Sequence, residues 1–286
     1  MDDNRGATES CAGTQAERGS AILPTGTDRW VGSSPLGVST GLDWLTVSGQ
    51  VPQLHSNIPH DTDSPDAVAE VQLERRMIGA FGGYSVLGPS TRHGTQWYRE
   101  GTFGDDGSWD VQREGRGRNA GSVVMTARGT LLARLPDRGL AAATVLHDDL
   151  GLRVRRVDVM AEAPLTAGAL VDLVGLLERR EVRLPRGLRF SYNGNNGETH
   201  TLYLGSQASD EYVCLYDRRG VDRVEVRGRG AIAETVVALL VAGVHPRQVV
   251  ASRLVRYGSV WESGPGRQIL MALGATGPDR GGPRAS

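Results

Sequence analysis

The chain has 286 residues, of which 39% are hydrophobic and 23% are charged, a composition typical of a globular protein. No apolar run reaches the ~18 residues that a membrane span needs, and the acidic N-terminus has no apolar segment like that of a secretory signal. The two cysteines, Cys11 and Cys214, are too few for a disulfide framework or a zinc site, so a cytoplasmic location is expected.

The formal net charge of −1 does not by itself favour a nucleic-acid partner, but the charge is unevenly distributed. Residues 1–68 carry 3 Arg and 9 acidic residues, whereas residues 69–286 carry 29 Arg and 24 acidic residues. All 32 basic residues are Arg, whose planar guanidinium binds phosphate through two parallel hydrogen bonds. A GC-rich genome is the simpler explanation of this bias, so composition decides nothing about function.

The first half of the chain predicts several short strands and two helices. Residues 1–40 are rich in Gly, Ser, Thr and Asp and are expected to form a flexible acidic arm. The first strand is expected at residues 42–48, where β-forming residues stand between Gly41 and Gly49. The other elements expected here are a helix at 67–78, strands at 84–87, 94–99 and 122–127, a basic Gly-rich turn at 113–118 and a helix at 140–149.

The second half has clearer periodicity. A strand at 152–160 is followed by a helix at 166–178, whose apolar residues recur at helical spacing after a candidate N-cap at Thr166. The elements expected beyond it are a hairpin of strands 199–206 and 211–217, a strand at 221–227 and helices at 231–242 and 246–257.

Strands that occur in groups, with helices between the groups and hairpins in both halves, indicate an α+β fold. We expect antiparallel sheets with helices packed on one side, arranged as two similar half-domains. A doubly wound parallel sheet would show a cleaner β-α-β alternation. The main domain is expected at 41–258, with halves at about 41–150 and 151–258, and a tail is expected at 259–286.

Two carboxylates stand on the strand that follows Gly151. Asp158 and Glu162 are four residues apart, so on an extended strand both side chains point to the same face. A carboxylate in the middle of an apolar strand is costly unless it is paired or binds a metal ion. The alternative is an ion pair between Asp158 and Arg156 on a solvated face.

A second constellation lies on the strand at 221–227. Arg223, Glu225 and Arg227 share one face of this strand, and a half-exposed ladder of cross-strand salt bridges is the simpler interpretation. If this strand neighbours the one at 152–160, Glu225 joins Asp158 and Glu162 in a cluster of three carboxylates. Hard oxygen ligands of this kind suit Mg²⁺ or Mn²⁺ rather than zinc.

A third constellation is the tyrosine strand at 211–217, where Tyr212, Cys214 and Tyr216 share a face. A tyrosine at a strand end usually serves packing. Tyr216, however, directly precedes Asp217 and two arginines, and it lies just before the strand that carries Glu225. A phenol can attack a phosphodiester when cations stabilise its phenolate and a metal ion polarises the phosphate. The phosphate-loop, dinucleotide-binding and Gly-x-Ser-x-Gly motifs do not occur.

Five short motifs, in this order, resemble the replication initiation factor family, the Rep-trans-type rolling-circle replication initiators of plasmids and filamentous phages. The motifs are Asp-Trp-Leu-Thr-Val from Asp43, Arg-x-Asp-x-x-x-Glu from Arg156, Leu-Tyr-Leu-Gly-Ser from Leu202, Leu-Tyr-Asp-Arg from Leu215 and Arg-Val-Glu from Arg223. The resemblance extends over residues 42–242. It implies a metal-dependent, strand-specific DNA endonuclease that forms a 5′-phosphotyrosyl link and leaves a 3′-hydroxyl primer.

The resemblance also implies roles for individual residues. Tyr216 corresponds to the nucleophile, with Arg218 beside it, and Asp158, Glu162 and Glu225 correspond to the ligands of Mg²⁺ or Mn²⁺. Two positions depart from the family pattern, since Glu162 replaces the usual Asp and Arg218 replaces Lys. The longer Glu side chain moves its carboxylate outward by one methylene group.

Arginines are the candidates for holding the DNA backbone or stabilising the phenolate, and the segment 113–138, with 6 Arg and 2 acidic residues, is the best candidate for origin binding. The candidate DNA-binding residues are Arg156, Arg219, Arg223, Arg116 and Arg118. The partners implied are origin DNA, a host helicase and a second copy of the chain, with no membrane.

Two alternatives remain at this point. The Glu162 departure and the weak net basicity favour a non-catalytic DNA-binding regulator derived from such an initiator. An unrelated α+β enzyme with a carboxylate site is the other alternative, in which Tyr216 would serve packing alone.

Overall fold

The structure, a computed structural model, describes residues 39–50, 65–135, 137–164, 168–195, 199–218 and 221–272. Nearly all of the expected arm at 1–40 lies outside the described residues, as do Thr166 and Arg219. Within the described ranges, no helix combines the length and the apolar character that crossing a membrane requires.

The described strands form one ten-stranded sheet in which every neighbouring pair is antiparallel. The strands are β1 (Ser39–Gln50), β2 (Ser90–Arg92), β3 (Tyr98–Gly104), β4 (Trp109–Gly115), β5 (Ser122–Arg128), β6 (Arg153–Pro164), β7 (Phe190–Asn195), β8 (Thr199–Leu204), β9 (Glu211–Arg218) and β10 (Val221–Arg229). The helices are α1 (Pro65–Ala80), α2 (Tyr84–Leu87), α3 (Gly129–Arg134), α4 (Leu140–Thr144), α5 (Ala169–Glu178), α6 (Gly230–Val241), α7 (Pro246–Leu254) and α8 (Gly264–Ala272).

The order of the strands divides the sheet into two halves of the same design. The order is β2-β3-β4-β5-β1-β6-β10-β9-β8-β7, so β1 and β6 lie side by side at the centre. In each half the first strand is followed by helix and then by a meander of four strands, the last of which pairs with the first. The predicted α+β class with antiparallel strands is confirmed, and the repeated strand order agrees with two similar half-domains.

The two faces of the sheet differ because side chains alternate along each strand. On β6, Val157, Val159 and Ala161 are buried in the hydrophobic core, whereas Asp158 and Met160 point to the opposite face. Helix α1 packs on β4 and β5, and helices α6 and α7 pack on β6 and β10. The prediction of helices on one side is therefore confirmed. The face opposite the helices is called the polar face below.

Several local predictions differ from the structure. Of the strand expected at 94–99 only Tyr98 and Arg99 lie in a strand, β3, and the helix expected at 246–257 ends at Leu254. Residues 84–87 were expected to be a strand but form the short helix α2, because Gly83 and Gly88 have positive φ angles of 79° and 80° that turn the chain at both ends. The segment 259–286, expected to be a tail, contains α8, whose Ile269 and Leu270 are buried. The core therefore extends beyond residue 258.

Candidate functional site

The polar face carries a row of alternating acidic and basic side chains where β6 pairs with β10. In the antiparallel register, Arg227 lies opposite Asp158 and Arg223 lies opposite Glu162. Glu225 stands between the two arginines on β10 and shares their face, because side chains two residues apart point the same way. The sequence pattern thus brings the three predicted carboxylates to neighbouring strands of one face.

Glu225 lies at the centre of this row and is fully buried. Its Oε2 atom accepts hydrogen bonds from Arg227 Nε at 3.1 Å and from Arg227 Nη2 at 2.7 Å. Its Oε1 atom accepts a short hydrogen bond from the Tyr216 hydroxyl and lies 3.5 Å from Arg223 Nη1. The candidate nucleophile therefore donates a hydrogen bond directly to a candidate metal ligand.

Asp158 is 1% exposed and is held by two arginines. Arg156 donates to it through Nε at 3.1 Å and Nη2 at 2.8 Å, and Arg227 Nε approaches it at 3.3 Å. The ion pair between Arg156 and Asp158, which was the alternative interpretation of this strand, is present, but it is buried rather than solvated. Burial raises the pKa of Asp158, and the hydrogen bonds and charges of Arg156 and Arg227 oppose that rise.

A fourth carboxylate, Asp43, joins the row from the central strand β1. A β-bulge leaves Asp43 unpaired between Leu42 and Trp44 in the register with β6. Asp43 Oδ1 accepts a hydrogen bond from Arg223 Nη1 at 2.9 Å, while Arg223 also donates to Glu162 through Nε at 2.6 Å. Burial, followed by the nearby charge of Glu225, raises the pKa of Asp43 to about 7.

The pKa values of Tyr216 and Glu225 are shifted in opposite directions. Burial and the Glu225 charge raise the pKa of Tyr216, so the phenol is protonated in this state. Burial would also raise the pKa of Glu225, but the charges of Arg227 and Arg223 outweigh it and hold that pKa below its usual value. The result is a neutral nucleophile that donates to an ionised carboxylate, with the Arg223 guanidinium 5.5 Å from the Tyr216 ring centre.

Aromatic side chains flank the row on both sides. On β1, Trp44 lies under two guanidinium groups, with Arg156 at 4.0 Å and Arg128 at 5.0 Å from its ring centre. On β9, the Tyr212 hydroxyl accepts a hydrogen bond from Arg227 Nη1 at 3.1 Å. Guanidinium groups in the row are thus fixed by rings as well as by carboxylates.

The three predicted metal ligands lie on one face, but guanidinium groups contact them all. Arg227 contacts both Asp158 and Glu225, and Arg223 contacts both Glu162 and Glu225. Within the described part of the chain, no three His, Cys, Asp or Glu side chains are grouped so that they could hold one ion. The oxygen donors suit Mg²⁺ or Mn²⁺ chemically, whereas their present arrangement is a closed network of ion pairs.

Four of the predicted residues lie elsewhere or outside the described side chains. Arg116 and Arg118 lie in the connection between β4 and β5, near the Gln50 end of β1. On an extended strand, Gln50 and Trp44 are about 20 Å apart, so these two arginines are remote from Tyr216. Arg218 ends β9, but its side chain lies outside the described part, as does the whole of Arg219.

Sequence reasoning missed Asp43 as a site residue, although it begins the first motif. An acidic side chain within an otherwise apolar strand was the available signal, because such a group needs a partner when buried. Its partner Arg223 lies 180 residues away, so the contact depends on the central pairing of β1 with β6 and of β6 with β10.

Comparison with known proteins supports one conclusion, which concerns the fold. No protein-family model matches the sequence, and none of the curated proteins matches it. Among solved structures, the chain is similar to the rolling circle replication initiator protein from Geobacillus stearothermophilus. The similarity has a TM-score of 0.55 at 20% sequence identity and covers 77% of this chain and 86% of that one.

The chain therefore has the fold of a rolling circle replication initiator. This fold agrees with the family resemblance of the five sequence motifs.

Proposed function

We propose that the chain is a rolling-circle replication initiation protein that nicks one strand of origin DNA through Tyr216. The observation that carries the proposal is the hydrogen bond from the Tyr216 hydroxyl to the buried, ionised Glu225. A nucleophile in contact with a base, beside arginines that can receive negative charge, is the arrangement that nucleophilic catalysis requires. The shared fold supports the same reading.

In the proposed reaction, the Tyr216 oxygen attacks the scissile phosphorus while its proton passes to Glu225. A bond forms between the tyrosine oxygen and phosphorus, and the bond from phosphorus to the 3′ oxygen breaks. The 3′ oxygen leaves with a proton from solvent as a 3′-hydroxyl primer, and the protein remains joined to the 5′ side. Arg223, close to the Tyr216 ring, stabilises the charge that develops on the phenolic oxygen.

The surrounding residues hold Glu225 ionised and in a fixed orientation. Arg227 donates twice to Glu225 and thereby favours its ionised form before the proton arrives. Asp158 binds both Arg227 and Arg156, so it positions Arg227 rather than the substrate. These buried contacts fix the orientation of the base, which general base catalysis requires.

The proposal includes Mg²⁺ or Mn²⁺, which Asp158, Glu162 and Glu225 would hold only once the guanidinium groups that contact all three in this structure are displaced. When bound, such an ion supplies positive charge that polarises the scissile phosphate. The support is the donor chemistry of three carboxylates on one face, together with the family resemblance. Origin DNA is the proposed partner, and a host helicase and a second copy of the chain remain part of the proposal.

The test is incubation of the protein with a supercoiled plasmid that contains the DNA upstream of its own gene, in the presence of Mn²⁺ or of a chelator. We expect a nicked plasmid and, after digestion, a nucleotide-linked peptide that contains Tyr216. Tyr216→Phe removes the nucleophile and is expected to give neither product. Tyr212→Phe, four residues away on the same strand face, is the matched control and is expected to retain the adduct on Tyr216.

One observation favours the second candidate, a non-catalytic DNA-binding regulator derived from an initiator. The carboxylates of the row are all paired with guanidinium groups, which is a stable arrangement without substrate. This candidate binds the origin DNA in a gel-shift assay but produces no nick with either metal ion. Nicking by Tyr216→Phe at the parent rate would contradict the nucleophile assignment.

A further inference from the structure

The loop between α3 and α4 reaches the candidate site across the end of β1. Strand β5 ends at Arg128, which pairs with Trp44, so β5 does not pair with residues 39–43 of β1. Arg138 from the loop packs against Gly41 instead. A Cβ atom at Gly41 would lie 2.5 Å from Arg138 Cδ and 2.7 Å from Arg138 Cβ, so the absence of a side chain at Gly41 makes room for Arg138.

The backbone of this loop is held in a conformation that is unusual for arginine. Arg138 has a φ angle of 51°, in the left-handed region that favours glycine. The Asp137 carboxylate accepts hydrogen bonds from the backbone N–H groups of Gly139, at 3.0 Å, and Ala141, and the Arg138 N–H donates to the Leu135 carbonyl at 3.0 Å. Backbone strain of this kind persists where surrounding contacts enforce it, and it occurs frequently at binding sites.

Arg138 differs from the other arginines near Tyr216 in having no acidic hydrogen-bond or ion-pair partner among the residues that the structure describes. Arg156, Arg223 and Arg227 each donate to a carboxylate of the row. The Arg138 guanidinium makes no side-chain hydrogen bond or ion pair with any residue that the structure describes. It is half-buried, and the charged groups near enough to influence it are Glu162, Arg223 and Asp43.

A half-buried guanidinium with unused donors is costly unless an anion or water satisfies them. Its planar N–H groups match two oxygens of a phosphate group. Arg138 neighbours Arg223, which itself lies against the Tyr216 ring, so an anion bound by Arg138 would lie beside the proposed nucleophile. We infer that Arg138 binds the non-bridging oxygens of the phosphate that Tyr216 attacks, and that it is a catalytic residue. This inference rests on the proposed function.

The first test compares nicking rates of the parent protein with those of Arg138→Ala and Arg138→Gly. We expect the rate at saturating DNA to fall about 100-fold in both, as for the loss of one donor to a developing oxyanion. Because glycine suits the left-handed backbone at this position, Arg138→Gly is expected to fold with a Tm no lower than that of the parent. A rate loss in this variant therefore does not come from unfolding.

The matched control is Arg134→Ala at the C-terminal end of α3, directly before the loop that carries Arg138. The Arg134 side chain is 56% exposed and pairs with Asp106 at 3.1 Å. Arg134→Ala therefore also removes one positive charge, but at a position outside the row. We expect nicking within twofold of the parent. A substrate with a phosphorothioate at the nick site gives a second readout. The parent is expected to favour one diastereomer, and both Arg138 variants are expected to lose that preference.

The inference is overturned if the parent forms the Tyr216 adduct while both Arg138 variants nick within twofold of its rate. If the parent forms no adduct with any DNA, the proposed function fails, and the anion site is tested separately. Titration with inorganic phosphate then measures binding to the parent and to Arg138→Gly. Weaker binding to the variant supports the anion site, whereas equal or undetectable binding to both proteins rejects it.

Discussion

In the first half of the molecule, β5 leads into α3 at Gly129, and in the second half β10 leads into α6 at Gly230. Aligning the halves at these glycines places Thr126 of β5 at the position of Arg227 on β10. The pairing partners correspond as well, since Thr126 pairs with Thr46 on β1 and Arg227 pairs with Asp158 on β6. The same backbone position thus holds a hydroxyl pair in one half and a buried ion pair in the other.

The difference continues along the two strands. Val124 occupies the position of Glu225, and Ser122 occupies the position of Arg223. In the first half the Thr46 hydroxyl donates to the Thr126 hydroxyl at 3.3 Å, an interaction between neutral groups. The fold therefore does not require charges here, because the first half forms the same strands without them.

Charges that the fold does not require point to function. Desolvation makes buried ion pairs weak contributors to stability, and apolar residues of similar volume frequently serve as well or better. The second half nevertheless buries Asp158, Glu225 and Arg227. Among the described residues, the first half contributes to the same site through Asp43 and Trp44 of its central strand and through Arg138 of its α3–α4 loop.

The largest difference in stability is expected between Glu225→Ala and Val124→Ala. Removing Glu225 leaves Arg227 with Asp158 at 3.3 Å and Arg223 with Asp43 and Glu162, so the buried guanidinium groups lose their central carboxylate, and breaking a buried ion pair in this way typically costs about 3–5 kcal/mol. Val124 is half-buried, and its truncation is expected to cost about 1 kcal/mol. Urea denaturation of both variants measures the two values. Equal losses of unfolding free energy would mean that Glu225 contributes no more to stability than the neutral residue at the same position in the first half.

The next comparison uses two buried aspartates, one in each half. Asp158 binds Arg156 and Arg227, and Asp110 on β4 accepts a hydrogen bond from Arg128 at 2.6 Å. Both Asp158→Asn and Asp110→Asn remove the charge of a buried ion pair and are expected to lower stability similarly.

Only Asp158→Asn is expected to slow nicking, by about 100-fold, because Arg227 would no longer be held against Glu225. Asp110→Asn is expected to nick within twofold of the parent rate. Nicking rates at saturating origin DNA measure this. A comparable loss in both variants would show that the effect comes from stability and not from the site.

The alternation of side chains made much of this arrangement predictable. Period-2 patterns in β6, β9 and β10 placed Asp158, Glu162, Glu225 and Tyr216 on strand faces before any pairing was known, and the structure brings those faces together. At residues 84–87 such a pattern predicted the wrong element. This segment, which includes the β-forming residues Tyr84 and Val86, lies between two glycines and forms a helical turn, because the glycine backbones and not the side chains determine the chain direction.

Other parts of the site depend on contacts that no local pattern encodes. Asp43 reaches Arg223 because a β-bulge removes it from the regular register of β1. Arg138 reaches the row because the loop before α4 crosses β1 at a glycine. The pairing of each carboxylate with a guanidinium is likewise a matter of side-chain conformation, which strand periodicity leaves open.

The site in the second half also depends on Asp43 from the first half. The pH dependence of the stability that Asp43 contributes tests this. Its pKa is raised to about 7 in the folded protein from an ordinary value of 3.8, so between these pH values the folded state holds a proton that the unfolded state has lost. The contribution of Asp43 to stability is therefore complete below about pH 4 and is lost as the pH rises to about 7.

Relative to the parent, Asp43→Asn is expected to lack this dependence, which amounts to about 1 kcal/mol per pH unit. Urea denaturation of both proteins at intervals between about pH 4 and 7, the range between the ordinary and the raised pKa of Asp43, measures the difference in their free energies of unfolding. Asp106→Asn is the control, because the hydrogen bonds of Ser108 outweigh burial and lower the pKa of Asp106, so its contribution is lost only as the pH falls below about 4. Parallel curves for the parent and Asp43→Asn would place Asp43 outside the charged row and leave the site to the second half alone.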